Sequence, residues 1–174
     1  MPAQSARALE AAAGLNVVAV LLTHSHPDHW AEYDQVKQAT GAPVLCHADE
    51  RIIPADKIDR PLADGEQLSA GGVSVRVIHT PGHTPGSCCF LVGRYLISGD
   101  TLFPGGPGRT NSAEDLQRTI ASITGGLFVL PDDTTVLPGH GDNTTIGRCR
   151  QEYAAFASRD HPPDLHGDVL WESS

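Results

Sequence analysis

Apolar positions along this chain gather in short runs divided by turn residues, and the length and period of each run predict an element. Residues 16–23 (Asn-Val-Val-Ala-Val-Leu-Leu-Thr) are apolar and rich in β-branched side chains, the pattern of a strand buried on both faces. Ahead of them an Ala-rich stretch at 5–13, stopped by Gly14, predicts a short helix. Behind them a helix is expected from Asp28 or His29 to about Ala39, capped by Asp28 or Ser25 and closed by Gly41, then a strand at 43–46. A turn of helix is expected at 48–53 and a loop at 54–65. Strands follow at 73–79, 87–92 and 95–98, the last two joined by a tight Gly93-Arg94 turn. Ser112 reads as the N-cap of a helix to about Thr124, because Asp115 stands three residues on and Leu116, Ile120 and Ile123 share one face. A strand at 134–137 and a helix at 145–158 complete the pattern, which predicts an α/β or α+β fold with helices layered over sheet.

Composition narrows the picture. At 174 residues the chain is long enough for one domain (1–174) with a sizeable core, expected over about 5–156, and a tail at 159–174 whose Trp171 packs across the domain edge. The net charge of −9, with no basic run longer than two residues, argues against a nucleic-acid partner. No apolar run approaches the length of a membrane span and the start carries no signal-peptide pattern, so no membrane partner and a cytoplasmic location are expected. Cys46, Cys88, Cys89 and Cys149 include no Cys-x-x-Cys pair and are expected as reduced packing residues.

The chemistry lies in the polar residues that end the strands. Thr23-His24-Ser25-His26-Pro27-Asp28-His29 sets three imidazoles and a carboxylate directly after the first strand. His24 and His26 on the strand-end loop can reach one ion, and Asp28 and His29 at the helix start can reach a second. The strand at 73–79 runs into His79-Thr80-Pro81-Gly82-His83-Thr84-Pro85-Gly86, where two prolines and two glycines fix the loop through its backbone. Asp100 follows another strand end, and His140, in Pro138-Gly139-His140-Gly141-Asp142, follows a fourth. Five histidines and two aspartates suffice for two divalent ions, for which Zn²⁺ fits best and Fe²⁺ or Mn²⁺ also serve.

These motifs, with Gly-Asp-Thr-Leu-Phe (99–103), Leu-Pro-Gly-His-Gly (137–141) and Thr-Thr-Ile-Gly (144–147), resemble in order and spacing the metallo-β-lactamase superfamily, and within it the glyoxalase II (hydroxyacylglutathione hydrolase)-like proteins. The resemblance implies a four-layer αββα sandwich with the site at one edge of two sheets. It implies that His24, His26 and His83 hold one metal, that Asp28, His29 and His140 hold the other, and that Asp100 bridges them. It implies a hydrolase acting on a small thioester or ester through a metal-bound hydroxide, so no serine or cysteine nucleophile is needed. Asp28 is then also a catalytic candidate that orients the hydroxide or takes its proton; Asp28→Asn with both metals and full turnover would refute that role. His79 is read either as steadying the ligand loop or as plainly structural, and Arg109 as meeting a substrate carboxylate or pairing with an acidic neighbour. His47, His161 and His166 match no ligand position and are expected at the surface.

Two departures qualify the substrate. The resemblance implies N-terminal strands ahead of the helix near Ser5 that are not seen here, so either the start lies upstream of Met1 or the first sheet lacks part of its strands. An incomplete sheet exposes apolar surface, and low solubility or a homodimer is expected. The C-terminal helical domain with which glyoxalase II grips glutathione is also not seen, which leaves the thiol open. Gly108-Arg109-Thr110-Asn111 resembles a segment of glyoxalase II-like and persulfide dioxygenase proteins, with Asn where Asp is usual. The alternatives are a mononuclear iron sulfur dioxygenase, a non-catalytic scaffold, and a lactonase or β-lactamase using the same hydroxide chemistry.

Overall fold

The computed structural model describes residues 5–174; Met1, on which the expectation of an upstream start turns, lies outside them. The chain opens with α1 (Ala6–Ala11) and β1 (Val20–Leu21). The helix expected at 28–39 is broken into α2 (Pro27–Trp30) and α3 (Tyr33–Thr40). The break falls at Ala31 and Glu32, where the Glu32 carboxylate turns back to accept hydrogen bonds from the backbone N–H and hydroxyl of Ser5. Neither Asp28 nor Ser25 caps α2. His26 holds the N-cap position in extended conformation without a side-chain bond, and Pro27 opens the helix with a φ already suited to it. Gly41 does close α3, in left-handed conformation.

β2 (Val44–His47) lies as expected, but 48–53 forms turns rather than helix. Glu50 in that stretch is drawn inward to Ser25 and Thr84. The expected loop at 54–65 contains β3 (Arg60–Leu62), pinned by Asp59, whose backbone N–H donates to Val44 O at 2.9 Å and whose carboxylate accepts from Val44 N at 2.7 Å. The remaining strands are β4 (Gln67–Ala70), β5 (Val73–His79), β6 (Cys88–Val92), β7 (Tyr95–Gly99), β8 (Leu102–Phe103), β9 (Gly106–Pro107), β10 (Thr135–Pro138) and β11 (Thr144–Thr145). Two more helices form where their caps predict. In α4 (Ala113–Ser122) Ser112 Oγ accepts from Asp115 N at 3.1 Å, and in α5 (Ile146–Ala157) Thr145 Oγ1 accepts from Arg148 N at 3.3 Å.

The strands make a three-stranded parallel sheet in the order β1-β2-β3 and a six-stranded mixed sheet in the order β11-β10-β7-β6-β5-β4, with β8 and β9 as a separate hairpin. Side-chain alternation sorts the apolar residues into three layers. Leu45, Leu62, Val77, Cys88 and Phe90 meet between the sheets. Leu22, Tyr33, Val36, Val44 and Cys46 join α3 to the outside of the first sheet. Leu96, Leu116, Ile123, Val136, Ile146 and Trp171 belong to the cluster that seats α4, α5 and the tail on the second. This is the αββα sandwich. All four cysteines are buried and free, and Trp171 is fully buried beside Tyr153 and Phe156.

The run at 16–23 is not buried on both faces. Val20 and Leu21 are half-buried and Val18 is 47% exposed, because β1 has a strand neighbour on one side only among the described residues. No helix of the described residues is long and apolar enough to cross a membrane.

Candidate metal centre

Four strand ends converge at one edge of the sandwich, and backbone contacts bring them there. Cys88 N at the start of β6 donates to Thr23 O at 2.7 Å, tying the end of the β1 segment to the second sheet. Gly99 ends β7 with φ +50, and a Cβ there would lie 2.6 Å from Cβ of Thr23, so only glycine lets these two ends touch. Gly139 N donates to Gly99 O at 2.9 Å, where the β7–β10 register shifts between Leu137 and Pro138. A Cβ on Gly139 would lie 2.4 Å from Asp100 Oδ1 and 2.7 Å from His29 Cε1. The backbone at 139 therefore forms part of the wall that holds those two side chains.

The residues brought together form two sets. His24, His26 and His83 each offer a donor atom within 4.8 Å of the others, and so do Asp28, His29 and His140. The rings of the first set stand nearly perpendicular to one another, at interplanar angles of 89°, 81° and 83° with centroids 4.6–5.0 Å apart, which lets three lone pairs converge. Asp100 sits between the sets. Its Oδ2 lies 3.9 Å from His24 Nε2, 3.8 Å from His83 Nε2 and 3.7 Å from His140 Nε2, and its Oδ1 lies 3.4 Å from His29 Nε2. Asp28 Oδ2 is 3.0 Å from His140 Nε2 and 3.5 Å from His29 Nε2.

These donor atoms fit divalent cations. Nε2 of His24, His29 and His83 and Oδ1 of Asp100 are buried with no hydrogen-bond partner. Buried polar atoms are otherwise almost always paired, and four unpaired ones clustered around Asp100 are what a bound cation would satisfy. The tautomer of His83 supports this: its Nδ1–H donates to Arg109 O at 2.8 Å, leaving the Nε2 lone pair toward Asp100.

The electrostatics agree. Burial pushes His24 down to about 2, with the nearby His29 and His83 adding to the effect, and burial also lowers His83. Burial works against ionisation of Asp100, but the imidazoles of His29, His24 and His83 hold its carboxyl below the usual value. Neutral imidazoles around a carboxylate are the ligating forms. A stability consequence follows. Unfolded histidines titrate near 6.5, so below that pH the unfolded chain takes up protons that folded His24 and His83 refuse. Stability of the metal-free protein should therefore fall as the pH is lowered from about 7.5 to about 5.5. Asp100 contributes acid sensitivity only below about 4. Urea unfolding midpoints across this range provide the check, and a flat profile would contradict the buried-neutral assignment.

Beneath the ligand loops lies a residue that sequence reasoning missed. Glu50 is 9% exposed, and its two carboxylate oxygens accept from Ser25 Oγ in the first ligand loop and Thr84 Oγ1 in the second. In sequence it is one more acid in a polar turn, with nothing to mark it as inward-facing. His79 steadies the second loop through a 2.9 Å contact between its Nε2 and Pro85 O, and touches none of the ligand-type residues. Arg109 takes the acidic neighbour, with Nη1 2.9 Å from Asp168 Oδ2. The expectation of three surface histidines holds for His166. It fails for His47, whose side chain is 9% exposed and stacks on His79, and for His161, which is half-buried against Phe156. A cavity of about 290 Å³ opens beside His83 and Asp100, walled by Phe103, Arg109, Val169 and Leu170.

Comparison with known proteins decides the family: the metallo-β-lactamase superfamily domain matches residues 1–140. The chain belongs to the metallo-β-lactamase superfamily. It is 35% identical over 177 residues to the probable metallo-hydrolase YqgX of Bacillus subtilis, covering 90% of this chain and 80% of that protein. It is 35% identical over 155 residues to the hydroxyacylglutathione hydrolase GloC of Haemophilus influenzae, covering 77% and 73%. Among solved structures, TTHA1623 in a di-iron-bound form matches with a TM-score of 0.67 and 32% identity over 83% of this chain and 80% of that one. Superfamily membership, with His/Asp clusters that could hold divalent cations, supports a metal-dependent hydrolase.

Proposed function

We propose that this protein hydrolyses a small thioester at a dinuclear metal centre, in which His24, His26 and His83 would hold one ion, Asp28, His29 and His140 the other, and Asp100 would serve both. The observation that carries this reading is the cluster of buried, unpartnered imidazole and carboxylate atoms at the meeting of four strand ends. Likeness to GloC supports a thioester, and the imidazole-rich donor set supports zinc first, with iron kept open by the di-iron relative. Bound divalent ions would supply an acidified water and polarise an acyl carbonyl.

The chain's own residues supply the rest. Asp100 balances charge between the two sets, and Arg109 O fixes the His83 tautomer through Nδ1. Asp28 is 57% exposed at the mouth of the site, where its carboxylate would orient a water or take its proton. The cavity beside His83 and Asp100 takes the acyl group, and its size limits that group to a small one. Arg109 at its rim would meet an acidic acyl or thiol moiety, exchanging Asp168 for the substrate. Four free buried thiols support action in a reducing compartment, the cytoplasm.

Elemental analysis of protein purified without added metal, followed by assay against S-acyl thioesters, tests the proposal. About two zinc or iron ions per chain with thioester turnover is the expected result. About one iron, with oxygen uptake on a persulfide and no hydrolysis, would replace it by sulfur oxidation.

A further inference from the structure

We infer that the acyl group taken beside this centre is apolar, a plain alkyl or aryl chain, and that Leu170 in the tail is the residue that selects it. The inference rests on the thioester reading and narrows its substrate.

The cavity wall carries the argument. Besides His83, Asp100 and the Arg109–Asp168 pair, the cavity is walled by Phe103, Pro104, Pro107, Val169 and Leu170 with glycine backbone between them. Among the described residues no hydroxyl or amide side chain lines it. A hydroxyl buried against such a wall gives up water and finds no side-chain partner, whereas an alkyl or aryl chain loses nothing there.

The anchoring of the tail puts Leu170 in this wall. Val169 and Trp171 are buried in the core cluster that seats α4 and α5, and Leu170 between them is turned outward, 54% exposed. Its backbone is fixed: its N–H donates to Ser174 Oγ at 2.9 Å, and its carbonyl accepts from Ser174 N at 3.0 Å. A Cβ on Gly106 would run into Val169 O, so the bare backbone of β9 lets the tail lie close along the cavity. A large aliphatic side chain on a held backbone is thus left for a ligand to cover, and an apolar chain that does so removes both surfaces from water.

Arg109 then serves the other half of the substrate. Its side chain and that of Asp168 are mostly exposed, so an acidic thiol moiety can displace Asp168 from the solvent side at little cost.

Steady-state hydrolysis of thioglycolate thioesters tests this on wild type, Leu170→Ala and Leu170→Asn, with the acyl group lengthened from acetyl to hexanoyl and with β-hydroxybutanoyl set against butanoyl. In wild type kcat/KM should rise by roughly fourfold per methylene until the cavity is full, and butanoyl should exceed β-hydroxybutanoyl by roughly 10–100-fold. Leu170→Ala should flatten the length series, mainly through KM, and Leu170→Asn should narrow the gap between the two four-carbon acyl groups. The same length series in all three proteins, or β-hydroxybutanoyl turned over as well as butanoyl, would overturn the inference and leave thioester hydrolysis standing. Titration calorimetry with the corresponding ketones, in which a methylene separates carbonyl from sulfur, reads the acyl wall without turnover. Ketone binding that depends on chain length and on Leu170, with no thioester cleaved, would keep the apolar site and overturn hydrolysis; binding without either dependence, or no binding, would overturn the apolar site. Leu170 is exposed and both variants keep the buried anchors on either side of it, so the fold is not at stake.

Discussion

Asp100→Asn should strip the centre of metal and of activity together. The substitution keeps size and shape but removes the one carboxylate shared by the two histidine sets, and it replaces one of its charged oxygens with an NH2 group that cannot bind a cation. Loss of a group that only orients a ligand costs about 10–100-fold in affinity or activity, and loss of the carboxylate proposed to serve both ions should exceed that. Metal content should fall below one ion per chain and thioester turnover below detection, while far-ultraviolet circular dichroism stays near that of wild type. An Asn variant that keeps two ions and turns over substrate would remove Asp100 from the centre.

Glu50→Ala should give the second-largest effect, in a residue that touches no ligand-type atom. Its carboxylate joins Ser25, between His24 and His26, to Thr84, next to His83. Two buried hydroxyls would lose their acceptor, and hydrogen bonds to a charged group are worth about 1.5–3 kcal/mol each, so a stability loss of the order of 3 kcal/mol is expected. Metal affinity should fall by roughly 10–100-fold as both loops loosen. Glu50→Gln keeps one carbonyl oxygen and should fall between Ala and wild type in both measurements. Denaturant melts and competition with a metal chelator read the two effects separately. If affinity holds while stability falls, Glu50 serves packing alone.

Four strands of the second sheet were legible in sequence as local apolar runs ended by Gly, Pro or a polar cluster, whereas β4 and β11, short and largely polar, were not. Val73–His79 has the bounds its pattern implies, and β6, β7 and β10 are within a residue or two. The residues of the candidate centre were legible because histidine and aspartate are dense at those same ends. What escaped depends on partners far along the chain. β3 forms because Asp59 reaches back to Val44, and its composition reads as loop. The split between α2 and α3 follows from Glu32 meeting Ser5 across 27 positions. Glu50 is invisible for the same reason, and so is the pairing of His47 with His79.

The tail has a consequence for how such a protein diversifies. Trp171 is locked in place by burial and by its backbone N–H donating to Gly105 O at 2.7 Å, and Thr110 and Gly167 exchange backbone bonds at 3.1 Å. Between these two anchors Asp168, Val169 and Leu170 line the cavity opposite His83 and Asp100. The reactive atoms thus come from strand ends that the whole sandwich constrains, and the facing wall comes from three residues strung between fixed posts. Selection can redraw that wall one side chain at a time, trying new substrates while the inherited chemistry stays untouched.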